Sequence, residues 1–267
     1  VTPALVRSLF VNKTDRYGLD VNSHDWIKFL AILIMTVDHI GFFLMPDQLW
    51  LRAVGRWMSP AWFFLVGYSP ARAFPAPLIL FAVFMLIANA LTAVPVFPLN
   101  ALVSVMVCRF AISLFERHDA FARKYLLDIF TACLLFLLPT YWLYEYGTLA
   151  ILFAIMGYLC RTGPRDLSYT AFVAGTFTVF VAFQIYFYGF NLAESLIVIA
   201  GTAACVNYLF SFERKSLFSG ADTKIGKLIV KFLSRNSLYY YFFHRLFLQI
   251  IGVFTVISPE KYKIYWF

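Results

Sequence analysis

The 267-residue chain is 62% hydrophobic and only 13% charged, against roughly 25% charged in a soluble globular domain, so a water-exposed fold is excluded. Aromatic residues make up 20%, with 31 Phe, 16 Tyr and 6 Trp, a composition suited to lipid contact with Tyr and Trp anchoring at the interfaces. The net charge of +8 reads as a topology signal plus attraction to anionic membrane lipid, with nucleic-acid binding the weaker reading.

Backbone polar groups in hydrocarbon must be satisfied internally, which leaves helices or a closed barrel. Long unbroken apolar runs select helices. The expected fold is therefore all-α, a polytopic transmembrane helical bundle. Residues 1–25 are mixed polar and charged, without the basic start and short apolar core of a signal peptide, and are expected to form a cytoplasmic N-terminal segment. About nine apolar stretches follow, near 26–45, 49–69, 77–97, 100–116, 125–144, 147–160, 169–189, 192–212 and 237–257. Each is compared with the roughly 20 apolar residues that a span needs. The second contains two arginines, the sixth is short, and Pro95 with Pro98 leaves little loop before the fourth. A single transmembrane domain over 26–257 is expected, with a charged cytoplasmic loop at about 213–236 and a short outer tail at 258–267.

Positive loops stay cytoplasmic. With the N-terminus inside, cytoplasmic segments hold 15 of the 22 Lys and Arg residues, and the outer segments hold Arg52, Lys261 and Lys263. That asymmetry predicts a cytoplasmic N-terminus, an outer C-terminus and an odd span count. The four cysteines, Cys108, Cys133, Cys160 and Cys205, lie inside apolar runs without short spacings. They read as small buried hydrophobes, with no metal expected.

An ionisable residue in a span costs at least about 2.5 kcal/mol and is by default a functional hypothesis. The first span, DWIKFLAILIMTVDHIGFF from Asp25, carries Asp38 and His39 about two turns below its outer end. A structural pair tied to a neighbouring helix is the alternative. Lys28 lies eleven residues before His39, which returns it to the same helix face about 16 Å away. One face thus offers a cation at the cytoplasmic edge and a base deep inside, an arrangement that suits coenzyme A, with phosphates for the cation and a thin arm carrying a thioester to the imidazole. A topology anchor, or an i to i+3 partner for Asp25, is the other reading of Lys28.

In the second span Arg56 lies level with Asp38, its natural carboxylate, while Arg52 one turn above is placed to snorkel to the outer surface. Gly55 allows close helix approach, and Ser59-Pro60 is expected to bend the span and free backbone carbonyls beside a cavity. In the last span His244 is either a wall residue of that cavity or a hydrogen-bonded structural histidine, and Arg245 either snorkels or pairs. Asn100 and Glu145 fall at outer ends of spans, where polar residues are cheap. Their physics alone singles out neither.

Residues 25–67, DWIKFLAILIMTVDHIGFFLMPDQLWLRAVGRWMSPAWFFLVG, resemble the family of the conjugative F-pilin acetylase, TraX, related to the acyltransferase-3 membrane proteins. That family shows an Asp, a Lys, a DH pair, a GR pair and a Pro in this order. Shorter matches are PLNALVS around Asn100, YEYGTLAIL around Gly147 and YYYFFHRLFL around His244. The broader acyltransferase-3 pattern has an Arg ten residues before the His, and Lys28 to His39 looks like its lysine version. Thr148 departs from the expected glycine-rich pattern.

The resemblance implies transfer of acetyl from cytoplasmic acetyl-CoA, as donor substrate, to an acceptor in the membrane or on its outer face. In that family the acceptor is the N-terminal amine of an inserted pilin subunit. An envelope polysaccharide or glycolipid hydroxyl is the alternative acceptor. It also implies His39 as catalytic base, Asp38 as its partner, and Lys28 and Arg56 as donor or acceptor contacts; Arg52 is a further candidate contact for the donor, and Arg56 or a backbone amide freed near Pro60 is expected to meet the thioester oxygen. His244, Ser59 and Asn100 become further cavity candidates. Adjacent helical residues point 100° apart, so Asp38 is expected to pair with Arg56 and hold the helices in register. A proton-coupled carrier using Asp38, His39 and Arg56 is a reading of another class, as is a non-catalytic subunit of a membrane complex. No internal repeat of the kind many transporters carry is present.

Overall fold

A computed structural model describes residues 21–216 and 224–255. The first 20 residues, the middle of the charged loop at 217–223 and residues 256–267 lie outside the described residues. With them lie the cations Arg7, Lys13, Arg16, Lys261 and Lys263, on which the topology argument partly rests. The described residues are helical, with no strand beyond two isolated bridges.

Helix α1, Ser23–Phe43, begins where the Asn22 side chain accepts from the Asp25 amide and Asp25 reaches back to the Asn22 amide, a reciprocal cap. Its first turn is also tied to residues 213–216, since the Ser23 hydroxyl donates to the Glu213 carbonyl at 2.6 Å. There the Lys215 ammonium holds the exposed Glu213 carboxyl below its usual range by hydrogen bond and charge. The expected second span is three pieces: α2, Leu49–Gly55, a 3-10 turn at Arg56–Met58, and α3, Ser59–Tyr68. Pro60 sits in the first turn of α3, where its missing N–H costs nothing. The turn is pinned because the Trp57 indole donates to the Ile197 carbonyl at 2.8 Å.

Helix α4, Ala76–Leu91, starts behind Pro75. The segment from 92 to 100 is irregular, and α5, Ala101–Arg117, is capped by Asn100. After the short α6, Asp119–Lys124, helices α7, Leu126–Leu135, and α8, Leu137–Leu143, meet at 61°. Pro139 lacks the N–H that would continue the ladder across that junction. Helix α9 covers Gly147–Thr162, α10 Leu167–Tyr188 and α11 Leu192–Phe210, the last with a second capping box from Asn191 and Glu194. Helices α12, Lys224–Arg235, and α13, Ser237–Thr255, close the described chain.

Every one of the nine apolar stretches contains helix. By length and composition α1, α10 and α11 can each cross a membrane, the bent α7–α8 pair is a fourth candidate, and α4 and α9 are apolar but shorter. The short α9 is the centre of the bundle, with its side chains from Gly147 to Cys160 almost all buried. It crosses α3 at two glycines. A Cβ at Gly67 would strike the Ala154 carbonyl, and one at Gly157 would strike the Phe64 carbonyl. Backbones therefore touch directly, the packing that small residues permit between membrane helices. The four cysteines are free and buried.

The charged loop at about 213–236 contains α12, an amphipathic helix with Ile225, Leu228, Ile229 and Phe232 exposed along one side. Those four recur at i, i+3, i+4 and i+7, a helical spacing that the density of Lys residues concealed. Its far end docks on α1, where the buried Ser234 hydroxyl donates to Asp25 at 3.1 Å.

Candidate functional site

A cavity of about 290 Å³ runs along one face of α1. His24 and Lys28 line one end, and Asp38 and His39 line the other. The rise per residue puts Lys28 and His39 about 16 Å apart along the axis. Three irregular backbone segments also line it, through Arg56 and Met58, through Val94, Pro95 and Pro98, and through Glu145 and Tyr146. Non-helical backbone at membrane depth is tolerated where it borders a cavity. Two of these segments hold each other: the Leu99 amide donates to Leu143 and the Glu145 amide donates to Leu99, both at 2.9 Å. Tyr146 sits there in the left-handed region, φ +68°, a strained conformation for a residue with a Cβ.

Asp38 is clamped by two arginines. Arg52 Nη1 lies 2.8 Å from its carboxylate and also donates to the Asp38 carbonyl at 3.0 Å. Arg56 Nη2 pairs with the other carboxylate oxygen. Further donors go to tyrosines, with Arg56 Nη1 donating to Tyr146 at 3.1 Å and Tyr188 at 3.2 Å, and Arg52 Nη2 to Tyr188 at 3.3 Å. Tyr146 also reaches the Ser59 hydroxyl at 2.9 Å. All three charged side chains are buried. The approach depends on Gly55, where any Cβ would land on Asp38.

His39 turns the other way. Its Nδ1 is 2.7 Å from Nε2 of His244 on α13, and His244 Nδ1 is 2.6 Å from the Tyr240 carbonyl oxygen. Tyr241 and Phe43 pack edge-on against the His39 ring.

Several polar groups face the cavity without a partner among the described residues. Buried Arg56 Nε, the Tyr241 hydroxyl and Arg245 Nη1 have no hydrogen-bond partner. Glu145, one residue from Tyr146, also lines the wall. At the opposite end Lys28 forms no ion pair among the described residues, where Asp25 is committed to the cap and to Ser234, and Arg109 lines the same end. Buried donors left unpaired are groups that await a ligand or water.

The structure thus brings Lys28, Asp38, His39, Arg52, Arg56 and Ser59 to one cavity. It corrects two expectations, for Asn100 and Arg52, and decides between the two readings of His244. Asn100 is not a wall residue: it is fully buried as the cap of α5, accepting from Leu102 at 3.1 Å and donating to the Ala82 carbonyl at 3.0 Å. His244 stands behind His39 and does not line the cavity. Arg52 is turned inward to Asp38 and does not snorkel, since a buried carboxylate offers a stronger partner than the interface. Glu145, which physics alone did not single out, is in the wall, delivered by the irregular segment before α9. Arg109, Tyr146, Tyr188 and Tyr241 were not foreseen. Tyrosines number 16, so nothing marks these three beforehand, whereas Arg109 inside an apolar run was a legible signal.

The fold and site define a helical membrane protein with a buried Asp-Arg-Arg cluster and a histidine pair beside one elongated cavity. The chain belongs to the family described as TraX protein, which it matches over residues 23–254. It is also 27% identical over 239 residues to an uncharacterized protein of Rickettsia prowazekii (strain Madrid E), covering 87% of this chain and 93% of the relative. No solved structure matches.

Proposed function

We propose that this protein is a multi-pass acetyltransferase of the bacterial cytoplasmic membrane, transferring acetyl from cytoplasmic acetyl-CoA to an amine at the membrane or its outer face. A pilin N-terminus is the acceptor that the family suggests. The observation that carries the reading is the cavity itself, which joins a cation, Lys28, to an imidazole, His39, along one helix face. In this reading the nine apolar helical stretches form one transmembrane domain with the N-terminus cytoplasmic and the C-terminus outside. A kinship with the acyltransferase-3 proteins belongs to the same proposal.

Lys28 and Arg109 meet the donor's phosphates at the cytoplasmic end, and the arm lies along the apolar wall of Ala31 and Met35. His39 accepts the proton of the attacking amine as nitrogen bonds to the acyl carbon, and returns it to the sulfur as the carbon–sulfur bond breaks. The charge that develops on the acyl oxygen is met by donors already buried and unpaired, the Tyr241 hydroxyl and Arg245 Nη1. Arg52 is committed to Asp38 and holds no donor contact in this scheme.

The test is purified protein in lipid nanodiscs with acetyl-CoA and a peptide carrying a pilin-like free N-terminus, read by mass spectrometry. Wild type acetylates the amine, and His39→Ala lowers the rate by about 10²–10⁴-fold, the usual worth of general acid–base catalysis. Undiminished transfer by His39→Ala removes the base. Transfer to glycan hydroxyls instead of the peptide replaces the acceptor, and proton-coupled transport without any acetyl transfer removes the enzyme.

A further inference from the structure

Resting on the reading of His39 as base, we infer that His244 is a positioning residue that fixes the proton of His39 on Nδ1 and thereby leaves Nε2 as the nitrogen that acts. The Tyr240 carbonyl oxygen carries no proton, so His244 Nδ1, at 2.6 Å, must be the donor. A neutral imidazole with its proton on Nδ1 has a lone pair on Nε2. That Nε2 is 2.7 Å from His39 Nδ1, so the proton between the two rings sits on His39. Neutral His39 then has its lone pair on Nε2. His39 lines the cavity and His244 does not.

Ring geometry agrees with this chain of bonds. The two imidazole planes are within 17° of each other with centroids 4.9 Å apart, the spacing of two rings joined edge to edge through nitrogen. The alternative, His244 protonated on both nitrogens, would reverse the donor between the rings and put a proton on His39 Nε2. It would also place a second cation directly beside Arg245, which like-charge repulsion disfavours. The position of His244 is itself fixed. Tyr240 stacks on its ring at 4.7 Å, and the Tyr240 hydroxyl lies 3.0 Å from Thr36 Oγ1. Thr36 donates its own proton to the Ile32 carbonyl at 2.9 Å, so Tyr240 is the donor to Thr36. The Tyr240–Thr36 hydroxyl pair and the two imidazoles therefore tie α13 to α1 near the level of the base.

In the transfer step the amine nitrogen bonds to the acyl carbon while its proton moves to His39 Nε2. The Nδ1–H bond to His244 becomes charge-assisted, hence shorter and stronger. When the carbon–sulfur bond breaks, Nε2 gives the proton to the departing sulfur and both rings return to their neutral state. His244 does with a neutral acceptor what a buried carboxylate does for the histidine of a hydrolase triad, orienting the ring and selecting its tautomer.

The protein has four histidines, so ¹⁵N-histidine solid-state NMR in bilayers can assign each ring by single substitution. His39 and His244 are both expected to carry the proton on Nδ1, with a coupling across the shared hydrogen bond. A proton on Nε2 of either ring overturns the inference. In the acetylation assay, His244→Phe is expected to lower kcat on the order of 10–100-fold, short of what removing the base itself costs, with KM for acetyl-CoA unchanged. His244→Asn, whose side-chain oxygen can accept from His39 Nδ1, is expected to recover part of that loss. Unchanged kcat in His244→Phe beside an inactive His39→Ala overturns the positioning role and leaves the base standing. Wild-type protein that transfers no acetyl group overturns the acetyltransferase reading, and the tautomer spectrum then decides the histidine pair by itself.

Discussion

Asp38 and His39 are consecutive on α1, yet they belong to two regions built on different principles. On the Asp38 side, one carboxylate faces two guanidiniums and two tyrosines, and nearly every donor is used. On the His39 side the contacts are neutral, and one ring nitrogen has no partner among the described residues. The 100° turn between neighbours on a helix sends the two side chains to different partners. A saturated charge cluster has little left to offer a substrate, whereas a half-used imidazole beside unpaired donors does. The first region is therefore the brace and the second the place for chemistry.

That contrast can be broken most forcefully at Asp38. Removing one member of a buried ion cluster strands the others, so Asp38→Ala is expected to destabilise the protein by about 3–5 kcal/mol, read as lost resistance to thermal unfolding in detergent. The triple replacement Asp38→Leu, Arg52→Met, Arg56→Met should regain most of that loss, because an apolar cluster of similar volume has no charge to desolvate. If Asp38→Ala retains full stability and loses only activity, the division into brace and chemistry is wrong. Gly55→Ala comes next. Its methyl group would occupy the space of the Asp38 carboxylate, and overpacking of this kind costs about 1–3 kcal/mol.

Lys28→Ala sharpens the other side. It should raise KM for acetyl-CoA about tenfold, roughly 1.4 kcal/mol, with kcat and unfolding temperature held, and the increment should shrink in high salt. A change in stability without a change in KM would return Lys28 to a topology anchor. The smallest effect belongs to Asn100→Ala, which removes a helix cap at a cost of about 1 kcal/mol and should leave KM untouched, measured by equilibrium unfolding beside the acetylation assay.

Much of this arrangement was legible in the chain. Composition excludes a soluble fold, apolar runs locate nine helical stretches, and the 3.6-residue period by itself puts Lys28 and His39 on one face. The Asp38–Arg56 pair followed from depth and the scarcity of counter-charges in hydrocarbon. Less legible were α12, hidden by its lysines, and the inward turn of Arg52, which depends on how closely Gly55 lets α2 approach α1. The place of Glu145 and Tyr146 in the wall was not legible, because an irregular segment, tied to residue 99 by backbone bonds, carries them into the cavity.

What the sequence by itself determined is the solvent, the helices and the costly residues within them, since these follow from local periodicity and transfer free energy. What only the tertiary structure decided is which of those residues are already satisfied. Asp38 and His39 are equally costly in hydrocarbon, and the sequence ranks them as one pair. The partners that separate them, Arg52 and Arg56 on one side and His244 on the other, come from helices whose approach is set by packing, and no local pattern encodes it.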